Sequence, residues 1–180
     1  MRKSLAVMTA ILLAEAATFV QAQANDARLA SATLRDTTGN VVGVARFTED
    51  ATGRLHVNVH VKGISTGKHG IHLHSVAACD PTTVPPFSSA GGHHNPTGHQ
   101  HGLNNPLGAY SGDLPNLVVN GAGVGHLNAT SDRATISAGS TTLFDANGSS
   151  VIIHVAEDDQ LIDPTGNSGA RIVCGVITLD

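Results

Sequence analysis

From Asp26 onward the chain alternates short runs of aliphatic and β-branched residues with clusters of Gly, Asn, Asp and Thr. The clearest run is 55–62. Leu55, Val57, Val59 and Val61 share one parity, and His56, Asn58, His60 and Lys62 share the other. That period of two belongs to a strand with one face on a core and one in water. The same pattern predicts strands over 28–35, 41–47, 69–74, 117–120, 123–129, 134–138, 151–154 and 172–179. Gly39-Asn40, Thr52-Gly53, Asn120-Gly121 and Asn147-Gly148 separate them with residues that tolerate positive φ. No stretch after residue 26 sustains a helical period, so the expectation is an all-β sandwich or barrel. His56 and His60 fall on the solvent parity. His126 stands alone between turn-like segments and reads as surface.

Two long connections break the strand rhythm, from Ser75 to about Pro115 and from Val155 to about Gly169. The first carries six prolines, Cys79, and His93, His94, His99, His101 and Asp113. Connections of this length inside a compact domain are functional or disordered. Histidines, an aspartate and a cysteine in the first favour a functional, tied-down loop.

Composition adds bounds. A chain of 180 residues, 41% apolar and 13% charged, fits one domain with a sizeable core, and with no Trp and one Tyr that core must be aliphatic. The formal charge is −4 with no basic run, which argues against a nucleic-acid or anionic-membrane surface. Arg2 and Lys3 precede an apolar run from Leu5 to Val20, followed by Ala22 and Ala24. This is the layout of a secretory signal peptide, with cleavage expected after Ala24 and a mature domain over 25–180. Glu15 within so short a run disfavours a stable membrane span. Export sets the redox context for the two cysteines, Cys79 and Cys174. They read as a disulfide or as two metal thiolates, and an oxidising compartment favours the bridge.

The candidate chemistry centres on Gly70-Ile71-His72-Leu73-His74. On a strand His72 and His74 share a face about 7 Å apart, which is half of a metal site. Alone, the pair reads as an ordinary polar strand face. With the loop histidines, Asp113 and His154 it reads as part of a cluster.

The segments His69-Gly70-Ile71-His72-Leu73-His74, Gly92-His93-His94-Asn95-Pro96, His101-Gly102, Gly112-Asp113-Leu114-Pro115, Ile152-Ile153-His154 and Gly169-Ala170-Arg171-Ile172-Val173-Cys174-Gly175-Val176 occur in this order. In these motifs the chain resembles the copper,zinc superoxide dismutases, over about residues 27–180. The position of Cys79 and the Gly-Asp-Leu-Pro segment are similar to the secreted bacterial branch. The resemblance implies an eight-stranded Greek-key β-barrel or sandwich with two long functional loops. It implies copper on His72, His74, His93 and His154, with His93 shared with zinc. It implies Arg171 as the cation that attracts and orients superoxide, a Cys79–Cys174 disulfide beside it, and Asp158 as the carboxylate linking a copper-binding and a zinc-binding histidine. Glu157 and Asp159 are neighbouring choices for that role, and His69 is implied to be structural.

The zinc set departs from the pattern. His93, His101 and Asp113 are present, but Tyr110 stands where the family has His. Phenol is a poor ligand at neutral pH. Three outcomes stay open: zinc on three residues with phenolate or water, zinc completed by His99 or His94, or no zinc. The implied activity is disproportionation of superoxide to O2 and H2O2, with Arg171 and His93 catalytic. The rival is an exported, non-enzymatic copper-binding or copper-buffering protein on the same scaffold. The second loop lacks lysine and holds Glu157, Asp158, Asp159 and Asp163, so weak electrostatic steering is expected. The chain is compatible with a homodimer.

Overall fold

The computed structural model describes residues 27–180; the expected signal segment, 1–24, lies outside the described residues. The strands are β1 (Arg28–Asp36), β2 (Val41–Glu49), β3 (Leu55–Lys62), β4 (Gly67–His69), β5 (Ile71–His74), β6 (Leu117–Val119), β7 (Val124–Ser131), β8 (Ser150–His154), β9 (Arg171–Val176) and β10 (Thr178–Leu179). The only helical element among the described residues is one 3-10 turn, Ser88–Ala90. No helix among them is long and apolar enough to cross a membrane.

The antiparallel order is β4-β6-β7-β3-β2-β1-β9-β8-β5. Its two ends, β4 and β5, are consecutive in the chain and separated only by Gly70. The segment expected as one strand over 69–74 is therefore a strand broken at Gly70. Its first half pairs with β6 and its second with β8, so the sheet nearly closes on itself. Counted this way the barrel has eight strands, as expected, with β10 an additional short pairing on β1. This near-closure shortens the open edges that an eight-stranded sheet would otherwise present.

The alternation in β3 is realised in full. Leu55, Val57, Val59 and Val61 are completely buried, and His60 and Lys62 on the opposite parity are exposed. Each such aliphatic side chain contributes about 1.5–3 kcal/mol on burial. One expected strand is absent: 134–138 forms no strand beyond an isolated bridge from Thr135 to Thr142. Ala134 and Ile136 are buried nonetheless. Their backbone is held by a side chain, because Glu49 accepts hydrogen bonds from the amides of Ile136 and Ser137 at 2.5 and 2.6 Å. The alternation there was real, but the pairing is divided: Thr135 bonds by backbone to Thr141 and Leu143, and the Glu49 carboxylate takes the next two amides.

Candidate metal centre

The outer edge of β5 has no full strand beside it, and the first long loop returns to cover it. His72 bridges to Asp113 and His74 to His93 in antiparallel register. The Leu73 amide donates to the Gly112 carbonyl at 2.9 Å, and the His94 amide donates to the Leu73 carbonyl at 2.8 Å. Gly112 permits this approach, since a Cβ there would run into the Leu73 carbonyl. His93 and Asp113 are thus fixed beside His72 and His74 by backbone hydrogen bonds of the strand edge.

On the other side of β5, β8 supplies His154 through a register shift between Ile153 and His154 that leaves His154 opposite Arg171 of β9. An irregularity of this kind re-aims a side chain. Here it turns His154 to the cluster and sets the guanidinium beside it.

Two groups of side chains result, with ligand atoms within 4.8 Å of one another in each: His72, His74, His93 and His154, and His72, His93, His101 and Asp113. His72 and His93 belong to both. His72 Nδ1, His74 Nε2, His154 Nε2 and His93 Nδ1 are buried and have no hydrogen-bond partner. Burial normally demands that such atoms be paired; the orphans on His72, His74 and His154 fit one cation, while His93 Nδ1 lies 3.4 Å from Asp113 Oδ1. The opposite ring nitrogens are engaged. His72 Nε2 meets Asp158 Oδ2 at 2.6 Å, His74 Nδ1 meets the Gly91 carbonyl at 3.0 Å and His154 Nδ1 meets the Gly169 carbonyl at 2.9 Å. Each of these acceptors fixes the tautomer that leaves a lone pair on the orphan nitrogen.

Electrostatics agree with neutral rings. Burial pushes His72 down to about 3 and His154 down to about 4, and holds His74 well below the usual histidine range. At neutral pH all three offer lone pairs, as metal binding requires.

Asp158 is the carboxylate that joins the two groups. It is 1% exposed and accepts from His72 Nε2 through Oδ2, and from His101 Nε2 at 3.1 Å and the Gln160 amide at 2.7 Å through Oδ1. Its neighbours are occupied elsewhere. Glu157 pairs with Lys68 at 2.7 Å, and Asp159 accepts from the Leu161 and Ile162 amides. Gly70 lets this loop settle on the strand, because a Cβ there would meet Ser168 Cβ at 2.7 Å and Asp158 Cβ at 3.2 Å.

His101 lies between Asp113, whose Oδ1 is 2.9 Å from Nδ1, and Asp158. Burial opposes its charge, but the two carboxylates outweigh that and push its pKa up to about 9. Tyr110 sits against the rings of His93 and His101, with centroids 5.7 and 5.6 Å away. Its hydroxyl donates to Asp163 Oδ1 at 2.6 Å. Burial, then that hydrogen bond, push the phenol up to about 12. Tyr110 is therefore a neutral phenol directed at a carboxylate. His94 and His99 belong to neither group: His94 Nε2 faces the Thr141 carbonyl at 3.3 Å, and His99 is exposed. His69 is structural, bonded to the carbonyls of His154 and Ser65, both at 2.8 Å.

A cleft of about 660 Å3 opens over the cluster, lined by His93, His154, Arg171, Tyr110 and Asn167 among others. Arg171 donates from Nη1 to the Phe87 carbonyl and from Nη2 to the Gly91 carbonyl, each at 2.6 Å. Cys79 and Cys174 form a disulfide with a Cα–Cα distance of 5.6 Å. It packs with Phe87, Ala90 and Ile152, so it anchors the segment whose carbonyls hold Arg171.

Residues 41–177 match the family described as copper/zinc superoxide dismutase (SODC). The chain belongs to the copper/zinc superoxide dismutase family. It is 37% identical over 179 residues to "Superoxide dismutase [Cu-Zn] 2" of Aquifex aeolicus, covering 98% of this chain and 99% of the relative. It is 37% identical to "Superoxide dismutase [Cu-Zn]" of Deinococcus radiodurans, covering 81% of each. "Superoxide dismutase-like protein YojM" of Bacillus subtilis is 38% identical, with 77% of this chain and 70% of the relative covered. A crystal structure of a SOD-like protein from Bacillus subtilis superposes with a TM-score of 0.74 at 36% identity, covering 81% of this chain and 95% of that one. The family implies copper and zinc, and the two side-chain groups have the donor types for both.

Three contributors escaped the sequence reading. Asn116 clamps the backbone of Asp158, donating from Nδ2 to its carbonyl and accepting its amide, both at 2.8 Å. Asp163 accepts the His101 amide at 2.6 Å as well as the Tyr110 hydroxyl. Gly166, at φ +58°, leaves room for the Asp158 carboxylate, and a Cβ there would overlap Asp158 Oδ1. Asn116 directly follows the Gly-Asp-Leu-Pro segment, the one local signal available. Nothing in the sequence marks the other two.

Proposed function

We propose that this chain is a superoxide dismutase, with copper held by His72, His74, His93 and His154, and a second cation held by His93, His101 and Asp113. The observation that carries the reading is the set of buried, unpartnered nitrogens on His72, His74 and His154, each with its other nitrogen engaged by an acceptor. An all-imidazole set suits copper in both oxidation states. Copper would supply one-electron redox chemistry, so that two superoxide anions and two protons give O2 and H2O2.

The chain's own residues supply the rest. Arg171 places a positive charge in the cleft beside His154 and His93, and its two carbonyl acceptors fix the guanidinium in orientation. An anion entering the cleft meets that charge first. His93 Nδ1 lies 3.4 Å from Asp113 Oδ1, which leaves Nε2 for the four-histidine group. That atom is placed to take up a proton and deliver it to reduced superoxide. Asp158 fixes the tautomer of His72 and holds the His101 ring in place.

For the second cation, two imidazoles and a carboxylate are a donor set that zinc accepts. The Tyr110 hydroxyl is committed to Asp163, which supports three protein ligands with the fourth position left to water. Tyr110→Phe should leave zinc affinity within about threefold of wild type. A larger loss would make the phenol a ligand. We also read 1–24 as a cleaved export signal, which N-terminal sequencing of the mature protein tests.

The deciding experiment measures metal content and superoxide disproportionation on copper-loaded protein. One copper per chain with turnover supports the reading. One copper per chain without turnover replaces it with the copper-buffering role, and failure to hold copper at these histidines removes both.

A further inference from the structure

Away from the buried cluster, two more histidines meet. His60 of β3 and His126 of β7 are direct cross-strand partners in the antiparallel ladder, and both are exposed. His60 Nδ1 lies 3.1 Å from both Nδ1 and Nε2 of His126, and the ring centroids are 4.3 Å apart. In the barrel order β3 and β7 are adjacent to each other and separated from β5 and β8 by other strands. The pair therefore has no part in the site described above.

We infer that His60 and His126 form a surface chelate for a divalent transition-metal ion with a preference for nitrogen ligands, Cu(II) above Ni(II) and Zn(II). With metal–nitrogen bonds of about 2.0–2.1 Å, two nitrogens on one ion stand about 2.9 Å apart at a right angle and about 3.4 Å apart at the tetrahedral angle. The observed 3.1 Å falls between these values. A small turn of the His126 ring presents either of its nitrogens. The strands fix the two Cβ atoms opposite one another, so little freedom is lost when both rings bind one ion.

The surroundings select the ion class. The row across the sheet reads Val44, His60, His126, Val118, so both flanks of the pair are apolar. The next row on one side is Asn58 opposite Asn128, and on the other Lys62 opposite Val124. None of these positions carries a carboxylate. A site of two imidazoles completed by water is unsuited to Ca2+ or Mg2+, which require oxygen ligands, and follows the nitrogen-donor order that peaks at Cu(II). His56, on the same face, is engaged with Asp50 at 2.8 Å and lies outside the pair.

The test uses the full protein with its buried sites already loaded with copper and zinc, titrated with Cu(II)–iminodiacetate. That probe is bulky and already half-coordinated, so it reaches exposed imidazoles only. Wild type should bind one equivalent at least about tenfold more tightly than His60→Asn or His126→Asn, because the second imidazole binds intramolecularly. The loss in the double variant should be well short of the sum of the two single losses, and electron paramagnetic resonance of the bound probe should show two imidazole nitrogens. His99→Asn should match wild type. Gln replacements at both positions are read in parallel, so a folding defect in one variant does not decide the outcome. Additive losses from the two single variants, wild-type affinity no higher than that of the double variant, or loss of the tight site in His99→Asn would each overturn the chelate.

Discussion

Replacing Asp158 by Asn changes one oxygen to NH2 and should act mainly on His72. The buried carboxylate serves three donors, with Oδ1 shared by the Gln160 amide and His101 Nε2, and Oδ2 taken by His72 Nε2. The Gln160 amide is a fixed donor at 2.7 Å, so the Asn carbonyl must take the Oδ1 position. The new NH2 then faces His72. Two donors cannot face each other at 2.6 Å, so His72 must move its proton to Nδ1, the unpartnered nitrogen that the proposed copper would use. Charge-assisted hydrogen bonds of this kind contribute about 1.5–3 kcal/mol each. Loss of such a supporting partner weakens metal binding by about 10–100-fold, or roughly 1.4–2.7 kcal/mol. Competition of Cu(II) against a chelator of known affinity, on wild-type and variant protein, measures the difference. Equal copper affinities, or a loss confined to zinc, would refute the tautomer argument.

Acidity should act on the metal-free protein from two sides. His72 and His154 fall to about 3 and about 4 in the fold, from 6.5 unfolded, so their contribution is present above pH 6.5 and is lost as pH falls. His101 rises from 6.5 to about 9, so its contribution is complete below pH 6.5 and lost as pH climbs through 9. Thermal melts should therefore peak near pH 6.5, and His101→Gln should flatten the alkaline limb. A melting temperature that rises steadily through pH 9 would contradict this. Reduction of the disulfide should cost about 2–5 kcal/mol and lower kcat/KM, because the Phe87 and Gly91 carbonyls that hold Arg171 lose their anchor. Denaturant unfolding and steady-state assays check the two effects. Arg171→Ala should reduce kcat/KM by about tenfold or more, while the acidic second loop keeps the salt dependence of wild type shallow. A steep fall of rate with ionic strength, abolished in Arg171→Ala, would show stronger steering than the loop charges allow. Gly166→Ala should mimic loss of Asp158, since the added Cβ occupies the carboxylate's space; metal titration would show weakened binding at both groups.

Local pattern carried most of the barrel. The alternation in β3 and the turn residues between strands are decided by residues a few positions apart, and a period of two leaves each side chain only two faces to choose from. The same economy made His72 and His74 readable as a pair, and ordered motifs extended that pair to His93, His154, Asp158 and Arg171. Local pattern misled at 134–138, where buried alternation exists but the partner of the Ile136 and Ser137 amides is Glu49, 87 and 88 residues away. It was also silent on His60 and His126, which are 66 residues apart and meet only because β3 and β7 pair. The choice of Asp158 over Glu157 and Asp159 was settled by which carboxylate the loop turns inward over Gly70. The state of Tyr110 was settled by Asp163, 53 residues further on. The sequence by itself determined which residues form strands and which donors are available, because both depend on short-range spacing. Tertiary structure decided which nitrogens are left unpaired, which tautomers they hold and where the phenol's proton goes, because each depends on acceptors delivered by distant segments.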